Sequence, residues 1–166
     1  MRERLERALR AVYGSRRISI VLHALSYLTV LLSIAAFIYL CVDAYIAEPI
    51  SVLYPIFIAG VPYVAVTLLR RYINAPRPYE LLDFYEEKPK NKAGRSFPSR
   101  HTFSAFSIGT LLAFTNPVLG AILLVFAALL AASRVLLGIH FPKDVIAGAL
   151  IGVISSVAGV FITRLF

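Results

Sequence analysis

"ISIVLHALSYLTVLLSIAAFIYLCV", residues 18–42, is a stretch without Asp, Glu, Lys or Arg, and it decides the class of fold. A transmembrane helix needs about 20 mostly apolar residues to cross the hydrocarbon core of a bilayer. Three further stretches approach that length and composition: residues 49–69, 118–137 and 143–163. The sequence therefore predicts an integral membrane protein built from helices.

The composition of the whole chain agrees with this prediction. Of its 166 residues, 59% are hydrophobic, and the mean hydropathy is +0.78, which leaves too little polar surface for a soluble domain. A fifth, shorter apolar stretch covers residues 99–115, between a helix entry at Pro98-Ser99 and a turn signal at Asn116-Pro117. We therefore expect a single all-α domain over residues 1–166, an integral membrane bundle of about five transmembrane helices.

The N-terminal segment, residues 1–17, is too charged for a signal peptide. Its apolar residues recur at helical spacing, and its charged residues fall between them. This pattern predicts an amphipathic interfacial helix lying on anionic headgroups. The alternative is a frayed basic tail that only sets the topology.

The distribution of Lys and Arg predicts the orientation in the membrane. Basic residues are concentrated in residues 1–17 and 70–100, whereas residues 43–50 and 115–117 contain none. Short basic loops stay on the cytoplasmic side. With five spans, both basic segments and residues 134–143 are expected on the cytoplasmic face, and the C-terminus outside.

Ionisable residues cluster at the membrane borders of this same face. Charges at such depth are costly and usually line a polar cavity or bind a ligand. Snorkelling toward the interface explains Lys143 but not the short side chains of His101, His140 and Asp144. The connection of residues 70–100 is unusually long, which is typical of a functional loop. We therefore predict one shared site with an active-site loop over residues 70–100; the bordering residues are Arg70, Arg77, Arg100, His101, Arg134, His140, Lys143 and Asp144.

These residue types favour phosphoryl transfer. Guanidinium groups bind phosphate oxygens in a two-pronged geometry. Of two histidines, one can attack phosphorus as a neutral imidazole and the other can protonate the leaving oxygen. Asp144, four residues after His140, can take the proton of one ring nitrogen and fix the tautomer. The residues alone leave open which histidine attacks.

No metal or other cofactor is required by this chemistry. Two histidines and one aspartate are an alternative zinc-ligand set. The surrounding arginines disfavour that alternative, because they would repel a cation.

Three segments of the chain resemble the signatures of the type 2 phosphatidic acid phosphatase superfamily. "RRYINAPRP", residues 70–78, is similar to the first signature, with Arg70 in place of the usual Lys. "PSRH", residues 98–101, is similar to the second, with Arg100 in place of Gly. "SRVLLGIHFPKD", residues 133–144, matches the third without departure. Each motif alone is weak, but all three occur in order on one predicted membrane face.

The resemblance implies a role for each matching residue. His140 would be the nucleophile that becomes phosphohistidine, Asp144 its orienting partner, and His101 the general acid for the leaving group. The remaining residues would bind the phosphoryl oxygens: Arg70, Arg77, Ser99 and Arg134. Ser99 would also cap the helix that follows it. Arg100 either adds a phosphate or headgroup contact or turns toward the interface.

We therefore predict a metal-independent membrane phosphatase that acts on an amphiphilic lipid phosphate monoester or diphosphate. Candidate substrates are phosphatidic acid, phosphatidylglycerophosphate, polyprenyl phosphate or diphosphate, and polyprenyl-linked sugar phosphates. The alternatives are a lipid phosphotransferase with the same site, a haloperoxidase, which the five spans disfavour, and a noncatalytic protein that binds anionic lipid. We expect a prokaryotic cell membrane and no nucleic-acid partner. Bacterial members of the family typically have six spans and an outward-facing site, unlike the arrangement predicted here.

Overall fold

The computed structural model describes residues 15–81 and 93–165. The predicted interfacial helix over residues 1–17 lies outside these ranges except for its last three residues, and residues 82–92 of the predicted active-site loop also lie outside them. Arg16 and Arg17 belong to the first long helix, which begins at Arg16.

The described residues form helices and connections, without strands. The six helices are α1 (Arg16–Ala47), α2 (Leu53–Ile73), the single turn α3 (Pro78–Leu81), α4 (Arg100–Thr115), α5 (Pro117–Leu136) and α6 (Pro142–Thr163), and a 3₁₀ turn, Pro49–Val52, joins α1 to α2. Four segments are long and apolar enough to cross a membrane: Arg16–Ala47, Pro49–Leu81, Pro117–Leu136 and Pro142–Thr163. The prediction of an all-α membrane bundle is confirmed.

The helix ends follow from local chemistry. Asn116 caps α5, because its side-chain oxygen accepts a hydrogen bond from the Leu119 N–H at 3.0 Å, and Pro117 occupies the first helical position. Asn74 ends α2 in the left-handed conformation with φ of 44°, and its N–H donates to the Arg70 carbonyl at 3.1 Å. Pro142 opens α6. The motifs noted in the sequence therefore lie at helix ends.

Helix α4 is shorter than the other four main helices and is the most enclosed. Its 16 residues span roughly 24 Å, less than the hydrocarbon core. It packs against α1, α2, α5 and α6, and half of its residues are buried. Because protein rather than lipid surrounds α4, its end can open onto a polar site below the membrane surface.

Small residues bring α4 and α6 together. A Cβ added at Gly148 would lie 2.5 Å from the Ser99 carbonyl oxygen, and one added at Gly152 would lie 2.6 Å from the Phe103 carbonyl oxygen. One helical turn further along, the Ser156 and Ser107 hydroxyls lie 2.7 Å apart. Such small-residue seams let membrane helices approach closely. Both residue series rise together along the chain, so α4 and α6 run parallel.

Helix α1 runs antiparallel to α5. The Ser26 and Ser133 hydroxyls lie 2.8 Å apart, and the Thr29 hydroxyl donates to the Phe126 carbonyl at 3.4 Å, so rising numbers in α1 meet falling numbers in α5. The short connections then fix the other directions. One end of the bundle, called here the site end, gathers the starts of α1, α4 and α6 and the last turns of α2 and α5.

Candidate active site

The site end brings together the residues that the three sequence motifs singled out. Arg70 lies in the last turn of α2, and Arg77 lies just before α3. Arg134 lies in the last turn of α5, and His140 in the connection to α6. The others lie at the starts of α4 and α6: Ser99, Arg100, His101 and Asp144.

His140 and Asp144 form a buried pair that Ser96 bridges. His140 is 2% exposed, and Asp144 and Ser96 are 0% exposed. The distance from His140 Nδ1 to Asp144 Oδ2 is 3.6 Å, which is too long for a hydrogen bond. Ser96 Oγ donates to Asp144 Oδ2 at 2.5 Å and lies 3.3 Å from His140 Nδ1. The hydrogen bond expected between His140 and Asp144 is therefore replaced by a connection through Ser96.

The bridge determines which nitrogen of His140 carries its proton. A carboxylate only accepts hydrogen bonds, so Ser96 gives its single hydroxyl hydrogen to Asp144. The serine oxygen then accepts from His140, which requires the ring proton on Nδ1. This arrangement leaves the lone pair of Nε2 free.

Asp144 is further held by the backbone. The Phe141 N–H donates to Asp144 Oδ2 at 2.9 Å, and the carboxylate thereby caps the start of α6. The Ser99 N–H donates to the Asp144 carbonyl at 2.8 Å. The starts of α4 and α6 are therefore joined directly at the site.

His140 is held mainly in its neutral form. Burial lowers the pKa of the His140 imidazole from the usual 6.5, and the positive charges of Arg77 and Arg70 lower that pKa further. The Asp144 carboxylate opposes this shift but does not reverse it. A buried neutral imidazole with a free Nε2 can act as a nucleophile at neutral pH.

Two arginines are positioned by backbone carbonyls. The buried Arg70 side chain donates to the Pro98 carbonyl, and Arg77 Nε donates to the Gly94 carbonyl at 3.0 Å. Glu80 Oε1 accepts from the N–H groups of both Arg77 and Gly94, at 3.1 and 2.7 Å. Gly94 has a φ of 68°, and a Cβ there would lie 2.4 Å from the Asn74 side-chain oxygen. These hydrogen bonds hold the described ends of the 70–100 loop together beside the site.

Two buried polar atoms at the site lack partners. Within residues 15–81 and 93–165, Arg134 Nε and Asp144 Oδ1 are the buried side-chain atoms without a hydrogen bond. Arg70 and Arg77 lie close enough for their positive charges to repel each other, and the charge of Arg134 acts on His101 in the same way. An unpartnered guanidinium nitrogen among several cations is suited to an anionic ligand.

The start of α4 differs in detail from the sequence prediction. Ser99 occupies the N-cap position, but its hydroxyl accepts from the Thr102 hydroxyl at 3.0 Å and makes no side-chain capping bond. His101 is exposed at the opening of the site. The Arg100 guanidinium lies 5.5 Å from the centre of the Tyr63 ring in α2, a cation–π arrangement. The Arg100 side chain therefore contacts α2 at one side of the opening.

The described residues do not provide the donor set of a metal centre. Across the two described ranges, no three His, Cys, Asp or Glu side chains lie close enough together to hold a metal ion. The zinc alternative weighed from the sequence therefore lacks its ligands in this part of the chain.

Sequence reasoning did not single out Ser96 or Glu80. Ser96 lies five residues before His101, next to a motif that begins at Pro98. The one feature of the sequence that could have pointed to Ser96 is its position as a small polar residue beside that motif. Nothing local indicates that it contacts residues almost fifty positions away, because that contact depends on the packing of α4 against α6.

The fold and the site together define a helical membrane protein in which a His–Asp pair lies buried among arginines. The PAP2 superfamily model matches residues 51–164. The chain therefore belongs to the PAP2 superfamily, which confirms the resemblance drawn from its three motifs.

Two curated relatives match about half of the chain. The bacitracin transport permease protein BcrC of Bacillus licheniformis is 39% identical over 80 residues, 48% of this chain. The undecaprenyl-diphosphatase BcrC of Bacillus subtilis is 34% identical over 79 residues, also 48% of this chain. The matched regions span only 39% and 40% of the lengths of those two proteins.

Solved structures match over nearly the whole chain. Aquifex aeolicus LpxE is 30% identical with a TM-score of 0.72, and the match covers 92% of each chain. The PAP2-type phosphatidylglycerolphosphate phosphatase of Bacillus subtilis is 19% identical with a TM-score of 0.75, covering 99% of this chain and 87% of that one. The second likeness concerns the fold alone.

Proposed function

We propose that the protein is a membrane lipid phosphatase that works through a phosphohistidine intermediate on His140 and needs no metal. The observation that carries this proposal is the Ser96-bridged His140–Asp144 pair beside the unpartnered Arg134 Nε. Membership of the PAP2 superfamily and the name of one relative, an undecaprenyl-diphosphatase, support the same reaction class.

In the first step, the Nε2 lone pair of His140 attacks phosphorus while the bond from phosphorus to the leaving oxygen breaks. His101 takes up a proton as the anionic substrate binds, and it gives this proton to that oxygen. The Nδ1 proton of His140 stays on the ring, where Ser96 and Asp144 stabilise the positive charge that develops. The negative charge of the phosphoryl oxygens is neutralised by Arg70, Arg77 and Arg134. Ser99 lies at the N-terminal end of α4, whose partial positive charge also favours these oxygens.

In the second step, water attacks phosphorus and the bond to Nε2 breaks. Neutral His101 now takes a proton from the water and passes it to the departing phosphate, which leaves the imidazole neutral again. Inorganic phosphate leaves, and His140 is again neutral with its proton on Nδ1. Protons and bonds balance over the two steps.

The substrate is an amphiphile, because the site lies at one end of a membrane bundle. A polyprenyl diphosphate is the first candidate, since a relative that is 34% identical is named undecaprenyl-diphosphatase. Phosphatidic acid, phosphatidylglycerophosphate, polyprenyl monophosphate and polyprenyl-linked sugar phosphates complete the panel to be assayed.

The site is proposed to face the cytoplasm. Every described Lys and Arg except Arg164 lies at or beside the site end. Asp43, near the end of α1, and Glu48, directly after α1, lie at the opposite end. This charge asymmetry follows the rule that basic loops remain inside.

The test is phosphate release by the purified protein in detergent with a chelator present. We expect wild type to release phosphate from at least one lipid of the panel and His140→Ala to release none. Lys143→Ala, a change at an interfacial cation outside the proposed machinery, is the control and should stay active. Full activity of His140→Ala would contradict the mechanism.

A further inference from the structure

The carboxylate of Glu80 joins two backbone segments beside the proposed site. Glu80 lies in α3, and its Oε1 atom accepts hydrogen bonds from the N–H groups of Arg77 at 3.1 Å and Gly94 at 2.7 Å. The Glu80 N–H in turn donates to the Arg77 carbonyl at 3.0 Å. Gly94 lies 14 residues further along the chain, so its bond to Glu80 is a tertiary contact. The reaction described above gives Glu80 no role.

Gly94 uses both of its backbone polar groups in this arrangement. Its N–H donates to Glu80, and its carbonyl accepts from Arg77 Nε at 3.0 Å. Gly94 has a φ of 68°, and a Cβ there would lie 2.4 Å from the Asn74 side-chain oxygen, so this peptide fits closely against the end of α2. Glu80 therefore holds both the donor residue and the acceptor residue of the bond that orients the Arg77 side chain.

The Arg77 guanidinium faces the proposed site. Its positive charge acts on both Arg70 and the His140 imidazole, which places it on the side of the proposed nucleophile. The bond with Gly94 uses only the Nε donor. The terminal nitrogens of a guanidinium can form a two-pronged contact with phosphate oxygens. An arginine that is held before its ligand arrives loses less side-chain freedom on binding.

We propose that Glu80 is a positioning residue for phosphate binding, which holds the Arg77 guanidinium in place for the phosphoryl oxygens by fixing the backbone of Arg77 and Gly94. This inference rests on the proposed function, in which Arg77 binds those oxygens. The role requires an acceptor of two hydrogen bonds at the right distance, and it requires neither a negative charge nor a proton donor. A glutamine offers the same side-chain oxygen, whereas an alanine offers none.

The first experiment measures the Kd of inorganic phosphate for the purified full chain in detergent by titration calorimetry. For Glu80→Ala we expect Kd to rise about 10-fold, the order of one hydrogen bond to a charged group. Glu80→Gln keeps the acceptor without the charge, so its Kd should stay within about 3-fold of wild type. Glu80→Asp keeps the charge but is one methylene shorter, so it should resemble Glu80→Ala.

The matched control is Glu48→Ala at the opposite end of the bundle. The Glu48 side chain makes no capping hydrogen bond, so its removal should leave the Kd of phosphate unchanged. For each variant, kcat/KM on a lipid substrate should change in the same order as the phosphate affinity. A Glu80→Gln variant that binds phosphate as weakly as Glu80→Ala would overturn the proposal, because the charge rather than the geometry would then matter.

A double-mutant cycle separates the positioning of Arg77 from a general effect on the fold. Arg77→Lys keeps a cation but lacks the Nε donor that bonds to Gly94. In that background, Glu80→Ala should raise the Kd of phosphate less than about 2-fold. The same rise in both backgrounds, or no phosphate binding by wild type, would show that Glu80 does not act through Arg77. If wild type binds phosphate but releases none from the lipid panel, the proposed function fails while the Kd values still decide on Glu80.

Discussion

At the scale of single residues, the arrangement of Ser96, His140 and Asp144 carries the chemistry. A carboxylate at 3.6 Å from Nδ1 would orient the ring weakly if it acted alone. The serine between them gives the imidazole a fixed tautomer and gives the buried carboxylate a second donor beside the Phe141 N–H. Ser96 is thus expected to act as a positioning residue, without touching the substrate.

Ser96→Ala should lower kcat, because His140 loses the acceptor that fixes its tautomer. A hydrogen bond in a charged network contributes about 1.5–3 kcal/mol, which corresponds to roughly a 10- to 100-fold loss of rate. The measurement is steady-state hydrolysis of the lipid substrate, with the pH profile as a second readout that a purely structural role would not move. Ser155→Ala, which removes only a bond to the carbonyl of Gly152 in its own helix, is the control. An unchanged kcat for Ser96→Ala would show that Asp144 orients the ring unaided.

The pH dependence of kcat/KM follows from the His140 shift. A pKa lowered below 6.5 means that the neutral, nucleophilic form is present above that lowered value and is lost as pH falls through it. The acid limb of the profile should therefore have its midpoint below pH 6.5. It should lie at the same pH for a monoester and a diphosphate substrate, since ionisation of the substrate would differ between them. A midpoint at or above 6.5 would contradict the assignment.

Much of this site could be predicted from the sequence, and there is a physical reason why the rest could not. The spacing of His140 and Asp144 within one segment is readable because a local helix start brings them together. The role of Ser96 and the clamp by Glu80 are not readable, because they depend on tertiary packing between separate segments. Arg100 is visible as an unusual cation, but its position on Tyr63 depends on how α4 meets α2.

At the scale of elements, the parallel seam of α4 and α6 aligns the two histidines. The Ser99 N–H bonds to the Asp144 carbonyl at the site, and Gly148 and Gly152 keep the backbones close below it. His101 follows Ser99 directly, and His140 precedes the start of α6. The separation of these helices therefore controls the distance between the proposed acid and the nucleophile.

Gly152→Ala should destabilise the protein, because its methyl group would meet the Phe103 carbonyl. Overpacking of this kind costs typically about 1–3 kcal/mol. Thermal unfolding in detergent should show a lower Tm. Gly60→Ala is the matched control, since its methyl group meets nothing within 4 Å, and it should leave Tm unchanged or higher. Equal effects of the two substitutions would mean that the seam is not tightly packed.

The helices themselves were predictable to within a few residues, because apolar length and proline or asparagine boundaries are local signals. The predicted stretch 118–137 corresponds to Pro117–Leu136, and 143–163 corresponds to Pro142–Thr163. Helix α1 is longer than predicted, since it extends from Arg16 to Ala47 through polar residues at both ends. The parallel pairing of α4 with α6 was not predictable, because small residues indicate close packing but not the partner.

At the scale of the whole molecule, the five long helices place the first and last described residues at opposite ends of the bundle. Ser15 lies at the site end, and Leu165 lies at the other. The proposed cytoplasmic site therefore requires an external C-terminus.

A reporter fused to the C-terminus tests this orientation directly. We expect activity from an enzyme that works only outside the cytoplasm, and none from one that works only inside. The same pair of reporters fused after Glu48 provides an internal reference, because that connection should lie on the same side as the C-terminus. The opposite pattern of reporter activity would mean that the site faces outward. It would not contradict the proposed phosphohistidine mechanism.

The parallel course of α4 and α6 also has a consequence for turnover. The start of each helix carries a partial positive charge of about half a unit, and here two such ends lie side by side. Like ends repel each other, and an anion between them removes that repulsion. The released inorganic phosphate benefits from the same relief as the substrate does. The helix dipoles therefore oppose the release of phosphate. We expect inorganic phosphate to be a competitive inhibitor that binds between the starts of α4 and α6.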